Sequence, residues 1–355
     1  MQNDSYHIAL FTSLARDLRY AAVLIRSIAS HFRSPEQLVF HFLFYDLEPQ
    51  DLAELTTSVK DLPIQVELHP LDDQVGDKKS SRGFGYWAWM WVGRVLSLEV
   101  DRVLYIDCDM VAYRDIQPIW TTYMDEHVIA AVVDPGSRLH HCIRSLKEAT
   151  RLLGLDYTMP PHYINAGLLF INLDLWREER VLERVEETFH DYQALRFHDQ
   201  DAINLLLGDR VKLLSPEWNL LESIMLYEKW DFDLYQDFGP PQDYFQQRLR
   251  HFSGNMKPDG PNARASERER FYSLLDQTVW RGWRSPVSKS PVSYLWGHML
   301  DFHYLVVRGL KQRAIRRPWR RLVEVTLRAP YAPLVYPLLP LYRRFQSWQS
   351  KNLTR

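Results

Sequence analysis

Two cysteines in 355 residues, Cys108 and Cys142, exclude a disulfide framework, and their separation is not a metal-ligand spacing. No stretch of about 18 uninterrupted apolar residues occurs, so no membrane-spanning helix is expected. The start, Met1-Gln-Asn-Asp-Ser, is polar and leads straight into an apolar segment, so no secretory leader is expected and the chain reads as cytosolic. Acidic residues are scarce in one region only. Residues 281–355 hold Asp301 and Glu324 against 15 lysines and arginines, a net +13; with −2 overall, the first 280 residues carry about −15. A basic tail on an acidic body implies a separate anionic partner for the tail. What is present is ordinary for a globular chain: 46% hydrophobic and 25% charged residues, enough for a large core and more than one average domain.

Strand-like and helix-like segments alternate. His7–Ser13 reads as a first strand, followed by a helical pattern from about Tyr20 to His31. Val39–Tyr45 reads as a second strand, residues 49–60 as a helix and Ile64–Leu68 as a third strand. This alternation predicts an α/β fold with a mainly parallel sheet covered on both faces. Ligands of such sheets bind outside the carboxyl ends of the strands. There, the apolar run Val103-Leu-Tyr-Ile106 ends in Asp107-Cys-Asp109. In extended backbone, side chains two apart point to one side, so both carboxylates can reach one ion. A hard divalent cation held by two carboxylates, with substrate phosphates at its other positions, is a common phosphate-handling arrangement. Taken alone, Asp-x-Asp is equally a solvated turn.

Between the third strand and this pair, Gly83-Phe-Gly-Tyr-Trp-Ala-Trp-Met-Trp91 is either a helix packed on the sheet or a stacking platform for a base or sugar ring. Further on, Ile116–Tyr123 suits a short helix and Val128–Val133 a strand ending at Asp134. Residues 138–153, with Arg138, His140, His141 and Arg144, suit a helix or lid. His162-Tyr-Ile-Asn165-Ala166-Gly167 opens a buried strand with small and polar residues that permit close backbone approach. Asp174 is expected to cap a helix, and His198-Asp199-Gln200-Asp201 opens another. Capping needs only one of those polar groups, which leaves others for substrate. Val211–Leu214 reads as a strand. His251, Gly254 and Lys257 then form a tight loop that combines an imidazole, a backbone N–H and an ammonium.

Four segments in this order, RVLYIDCDMVAYRDIQPIW (102–120), HYINAGLLFINLDLW (162–176), FHDQDAIN (197–204) and HFSGNMKP (251–258), resemble the retaining glycosyltransferases of family 8. That group contains bacterial lipopolysaccharide galactosyl- and glucosyltransferases and glycogenin. The resemblance covers residues 1 to about 260 and implies a GT-A fold: a Rossmann-like nucleotide-sugar domain over residues 1–280, with residues 281–355 as a basic aromatic membrane-associating region. It implies that Asp107, Asp109 and His251 bind Mn²⁺, with Mg²⁺ as the other candidate, a ligand set that suits such an ion better than tetrahedral zinc. It places Lys257 and the Gly254 N–H on a UDP-sugar diphosphate, Asn165, Ala166 and Asp199 on the donor sugar, and Thr12 beside the nucleotide. Gln200 then faces the anomeric carbon, with Asp199 and Asp201 beside it as further catalytic candidates; a trapped glycosyl adduct on Asp201 or another side chain would point to a covalent route instead. Because an amide is a poor nucleophile, same-face attack through an oxocarbenium-like state is expected, with the leaving phosphate taking the acceptor's proton.

Two positions depart from the family pattern. Leu14 stands in the segment that usually supplies an aspartate to the nucleoside, with Ser13 or Asp17 as substitutes. Met90 stands where many members have an arginine, with Arg82 or Arg94 as substitutes. Expected partners are a UDP-hexose donor and a lipopolysaccharide or other glycan acceptor. The tail mixes Trp296, Phe302, Tyr304 and Trp319 with Arg313, Arg316, Arg317, Arg320 and Arg321, and Pro330, Pro333, Pro337 and Pro340 rule out a continuous helix beyond them. Such a segment suits the anionic inner face of the plasma membrane; a plain packed tail is the alternative, and no nucleic-acid-binding module accompanies the arginines.

Overall fold

The computed structural model describes residues 5–80, 84–134, 146–148, 150–151, 162–188, 195–222, 247–287, 293 and 295–301. All of these belong to a compact unit spanning Met1–Phe302; the second unit, His303–Arg355, and most of the expected lid at 138–153 lie outside the described residues.

Among the described residues, ten strands form two sheets. The first contains β1 (Tyr6–Thr12), β2 (Leu38–Phe44), β3 (Gln65–Pro70), β4 (Arg102–Ile106), β6 (Ile129–Val133), β7 (Ile164–Asn172) and β8 (Val211–Leu214), in the order β3-β2-β1-β4-β7-β6-β8. β7 alone runs antiparallel, paired with β4 and β6; the other pairings are parallel. The sheet is therefore mixed and mainly parallel, as the alternation of segments implies. The second sheet joins β5 (Met110–Ala112), β9 (Leu220–Leu221) and β10 (Leu249–His251), with β10 in the middle.

Helices cover both faces. α1 (Leu18–His31) is apolar nearly all round and has ten buried residues, because it lies between layers. Leu24, Ile25 and Ile28 meet Ile8, Phe40 and Leu104 of the sheet, while Val23 meets Phe271 and Leu275. α2 (Pro49–Val59) starts at a capping box in which Glu48 and Asp51 satisfy each other's backbone N–H groups. The opposite face of the sheet carries Ala9, Leu43, Val103 and Tyr105 under Trp87, Trp89, Trp91 and Trp176. That settles the aromatic run: all three of its tryptophans are core residues, and only Tyr86 is well exposed. They reach the sheet through 3-10 turns rather than a regular helix.

β7 leads into α3 (Leu173–Glu178) and α4 (Val181–Thr188), and then α5 (His198–Leu207) packs back on β7. The expected cap at Asp174 is corrected here. Asn172 is the N-cap and accepts the Leu175 N–H at 3.2 Å, because the strand runs up to Asn172 and the chain turns there. Asp174 lies in the first turn, where a negative charge favours the helix dipole.

α6 (Ala265–Leu275) closes the unit over the second sheet. Between them lies a buried ionic cluster. Arg250 Nη1 donates to Glu222 Oε2 (2.8 Å) and Glu267 Oε1 (2.9 Å), and Arg264 donates to Glu222 Oε1 (2.6 Å), to Glu267 and to Asp301 Oδ1 (3.2 Å). Arg250 and Glu222 are each 1% exposed. Charges this deep are tolerable only as a mutually satisfied set, and removing one partner costs about 3–5 kcal/mol. Since Arg250 precedes His251 on β10, this cluster fixes the strand that presents the histidine. Glu222→Ala is expected to lower Tm by roughly 5–15 °C, and Glu222→Gln by less. Thermal unfolding followed by circular dichroism measures both; an unchanged Tm for the alanine variant would remove the cluster from the fold's supports.

Candidate functional site

Three elements converge at the carboxyl edge of the main sheet. β4 ends at Ile106, and the turn to β5 carries Asp107 and Asp109. β7 passes beside it, with the Asp107 N–H bonded to Gly167 O at 2.9 Å. β10, antiparallel to β5 with His251 opposite Met110, delivers His251 from about 140 residues downstream. One ligand atom each from Asp107, Asp109 and His251 lie within 4.8 Å of one another. His251 Nε2 is 3.2 Å from Asp109 Oδ1 and 3.8 Å from Asp107 Oδ2.

The other ring nitrogen, Nδ1, lies 3.0 Å from Asn219 Oδ1. The surrounding network sets the roles. Asn219 Nδ2 donates to Asn165 Oδ1 (2.8 Å), so Asn219 presents its carbonyl oxygen to the ring and His251 Nδ1–H donates to it. The Nε2 lone pair is thereby turned toward two carboxylates, one of whose oxygens, Asp109 Oδ1, is buried without a hydrogen-bond partner among the described residues. Lone pairs facing one another require a proton or a cation between them. The surrounding charges act the same way. Burial alone would lower His251, yet the charges of Asp109 and Asp107 raise it above the ordinary histidine range. Burial raises Asp107, with the Asp109 charge adding to it. Burial opposes ionisation of Asp109 too, but His251 and Lys257 hold it well below the usual carboxylate range. Two carboxylates and an oriented imidazole fit a divalent cation with open positions.

Close approach is built in at Gly167. A Cβ there would stand 2.3 Å from His251 Cε1 and 3.0 Å from Asp107 Oδ2, so only glycine lets β7 pass the cluster. Tyr105 OH donates to Asp107 Oδ1 at 2.7 Å and fixes that carboxylate from below. Lys257 pairs with Asp109. Gly254 begins the intervening turn at φ +58°, a left-handed conformation that glycine adopts without cost, and it is exposed.

The second group lies where α5 meets β7. Gln200 Oε1 accepts from Asn165 Nδ2 (3.0 Å) and the Ala166 N–H (3.1 Å), while its Nε2 donates to Asp134 Oδ2 (3.1 Å). Asn165 Nδ2 also reaches Asp134. A continuous chain of hydrogen bonds thus joins Gln200 to His251 through Asn165 and Asn219. Asp199 Oδ2 accepts Trp89 Nε1–H at 2.8 Å; burial, with the Asp107 charge adding, outweighs that bond and pushes its carboxyl up to about 8. Asp201 faces the other way. It is fully buried and accepts from Tyr163 OH (2.7 Å) and the Phe197 N–H (2.9 Å). Asn204 likewise bonds the Ile164 backbone. These two residues clamp α5 to β7, whereas Asp199 and Gln200 lie on the half-buried side of the helix.

At the end of β1, Thr12 Oγ1 accepts the Leu14 N–H at 3.1 Å, and Leu14 is exposed. Asp17 is half-buried within electrostatic range of Asp109 and Lys257, and burial raises its carboxyl despite Arg16. Met90 is buried, Arg94 pairs with Glu183 (2.9 Å), and Arg82 lies outside the described residues. Asn219 and Asp134 are parts of the site that sequence reading did not assign.

A mixed, mainly parallel sheet with an Asp-x-Asp turn at its carboxyl edge, faced by a histidine and a lysine, is the arrangement of the GT-A fold. The chain belongs to glycosyl transferase family 8, whose profile matches residues 2–259. Among curated relatives, General stress protein A of Bacillus subtilis is 28% identical over 51% of this chain and 60% of its own. The lipopolysaccharide 1,2-glucosyltransferase of Escherichia coli is 23% identical over 79% and 81%. The lipopolysaccharide 1,3-galactosyltransferase of Salmonella typhimurium is 25% identical over 76% and 78%. Several other curated relatives are matched over about three fifths of their length. The solved structure of galactosyltransferase LgtC with donor and acceptor sugar analogs superposes at a TM-score of 0.58, with 21% identity over 78% of this chain and 99% of that one.

Two predictions follow from this geometry. Asn219→Ala removes the acceptor that orients His251 and is expected to weaken divalent-metal affinity about 10–100-fold with the fold intact; Gly167→Ala, which collides with His251 and Asp107, should do at least as much. Isothermal titration with Mn²⁺ reads both, and unchanged affinity in either would detach that residue from the site. Asp199, whose folded pKa lies above its unfolded value, keeps its proton longer in the folded state, so its contribution to stability falls as pH rises from about 4 to about 8. Asp199→Asn cannot ionise and keeps an acceptor for Trp89. Its Tm in chelator should exceed that of the parent at pH 8 by several degrees more than at pH 5.

Proposed function

We propose that the enzyme is a metal-dependent retaining hexosyltransferase that moves glucose or galactose from a UDP-sugar to a lipopolysaccharide or other surface-glycan acceptor, with Mn²⁺ as the preferred ion. The observation that carries this reading is the convergence of Asp107, Asp109 and an oriented His251 at the sheet edge, beside Lys257. Bound there, a divalent ion would supply Lewis-acid stabilisation to the diphosphate of the donor. The remaining roles fall to the chain. Lys257, released from Asp109, and the exposed Gly254 N–H are assigned to the phosphate oxygens, where charge builds as the glycosidic bond breaks. Asn165, Ala166 and Asp199 are assigned to the sugar hydroxyls.

Gln200 Oε1 already accepts two hydrogen bonds, from Asn165 and Ala166. For it to support a cationic sugar, the donor must take over one of these, which couples sugar binding to release of the Gln200 oxygen. Same-face attack with proton transfer to the leaving phosphate then needs no side-chain nucleophile. Asp201 is assigned a positioning role, since both of its oxygens hold α5 in place.

The nucleoside end favours a second reading, a donor with another base. Leu14 is exposed where a carboxylate would be expected, and Asp17 is the nearby replacement. The basic region 281–355 is proposed to hold the enzyme at the inner face of the plasma membrane. No helix among the described residues is long and apolar enough to cross a membrane.

Incubation with a panel of nucleotide sugars and Mn²⁺, read as donor hydrolysis, tests the function. UDP-glucose or UDP-galactose should turn over, and Asp109→Ala should abolish turnover; hydrolysis of no donor would leave a nucleotide-sugar binder instead. Removing residues 303–355 should release the protein from anionic vesicles at low salt, and continued sedimentation would refute the membrane role of the tail.

A further inference from the structure

The β1-β2-β3 edge of the sheet carries a second cluster, unrelated in sequence to the first. His41 on β2 lies opposite Glu67 on β3, and His69 follows two residues later, so period two puts all three on one face. His41 Nδ1 is 3.0 Å from His69 Nε2 and 3.2 Å from Glu67 Oε2, and His69 Nε2 is 3.6 Å from the same oxygen. These edges can be compared with a known coordination shape. A tetrahedral Zn²⁺ with bonds of about 2.0–2.1 Å keeps neighbouring ligand atoms about 3.3 Å apart. The observed triangle has that size.

We infer that His41, His69 and Glu67 form a zinc site with a water-accessible fourth position. Its donor set of two imidazoles and one carboxylate suits a borderline ion such as Zn²⁺, whereas the two-carboxylate set at Asp107 and Asp109 suits a harder one. An outer partner is also in place. His41 Nε2 lies 2.9 Å from His7 Nδ1, so an imidazole that ligates through Nδ1 donates its remaining N–H to His7, as metal-bound histidines generally do to a second group. His41 is buried at the base of the site, while the Glu67 side chain is 52% exposed and leaves an open approach for the ion. The cluster is a separate centre. β1 lies between β2 and β4, so His41 is two strand spacings from β4 and Glu67 and His69 are three, on the order of 10–15 Å. Zinc bound here would tie β3, one of the two edge strands of this sheet among the described residues, to its neighbour.

The full-length Asp109→Ala variant isolates this centre from the first. Titrated with Zn²⁺ against a chromophoric chelator, it should bind one ion per chain, and its Tm should rise with Zn²⁺. Adding His69→Ala or Glu67→Gln should weaken zinc roughly 100-fold or more, and adding His7→Ala about 10–100-fold, with the circular dichroism spectrum retained. Co²⁺ should give the intense visible absorption of a tetrahedral site in Asp109→Ala and lose it with His69→Ala. In the otherwise unaltered enzyme, His69→Ala should leave donor hydrolysis unchanged, so the outcome does not depend on the reading of the first site. Absence of zinc binding by Asp109→Ala, or stoichiometric binding that survives His69→Ala and Glu67→Gln, would overturn the inference.

Discussion

His251 has one partner for its Nδ1 proton, the carbonyl oxygen of Asn219, and the site depends on that bond. With Nδ1–H engaged, Nε2 must face Asp107 and Asp109, and three acceptors then share one small volume. Such an arrangement is unfavourable unless positive charge enters it. The fold supplies the opposing forces. The buried Arg250–Glu222–Arg264–Glu267 cluster holds β10, Tyr105 holds Asp107, and Gly167 lets β7 pass without pushing the ring aside. A site of this kind is stabilised by what it binds.

The same Asn219 reaches the other half of the site through Asn165. Asn165 accepts from Asn219 and from the Gly167 N–H, so both of its donors are left for Asp134 and Gln200. Each amide in this chain has its orientation dictated by its neighbour. Low-dielectric networks of this sort are rigid when fully satisfied, which is the condition for holding the groups proposed to meet sugar and phosphate at a fixed separation. In the proposed reading, the cation site at one end and the sugar site at the other are therefore linked through shared hydrogen bonds, one of which the donor displaces at Gln200.

Much of this was readable from residues. Apolar runs marked the strands of the main sheet nearly to their ends, but not the short β5, β9 and β10 of the second sheet. Asp107 and Asp109 pointed to the carboxyl edge, yet the expected extended i, i+2 pair is corrected by the structure: the strand stops at Ile106, and the two carboxylates converge from a turn that contains Cys108 and Asp109. Gly167 among small residues signalled close approach, without naming its neighbours as His251 and Asp107. Other features depend on long-range pairing that no local pattern contains. Asn219 lies 32 residues before His251, and only the parallel alignment of β9 with β10 brings them together. His41 and His69 sat inside segments that read simply as strands; the register between β2 and β3 decides that they meet. The tryptophans near Gly85 were ambiguous because 3-10 turns lack a clear helical period. Asp174 misled as a cap, since a strand continuing to Asn172 moves the helix start by two residues.

Diffraction from crystals grown with Mn²⁺ and UDP, with data collected on both sides of the manganese absorption edge, tests the reading of the first site most directly. An anomalous peak is expected between Asp107, Asp109 and His251 Nε2, with diphosphate oxygens completing the shell and Lys257 turned away from Asp109 toward the phosphate. A manganese peak elsewhere in the chain, or UDP bound at this edge with Lys257 still on Asp109 and no manganese beside it, would contradict it.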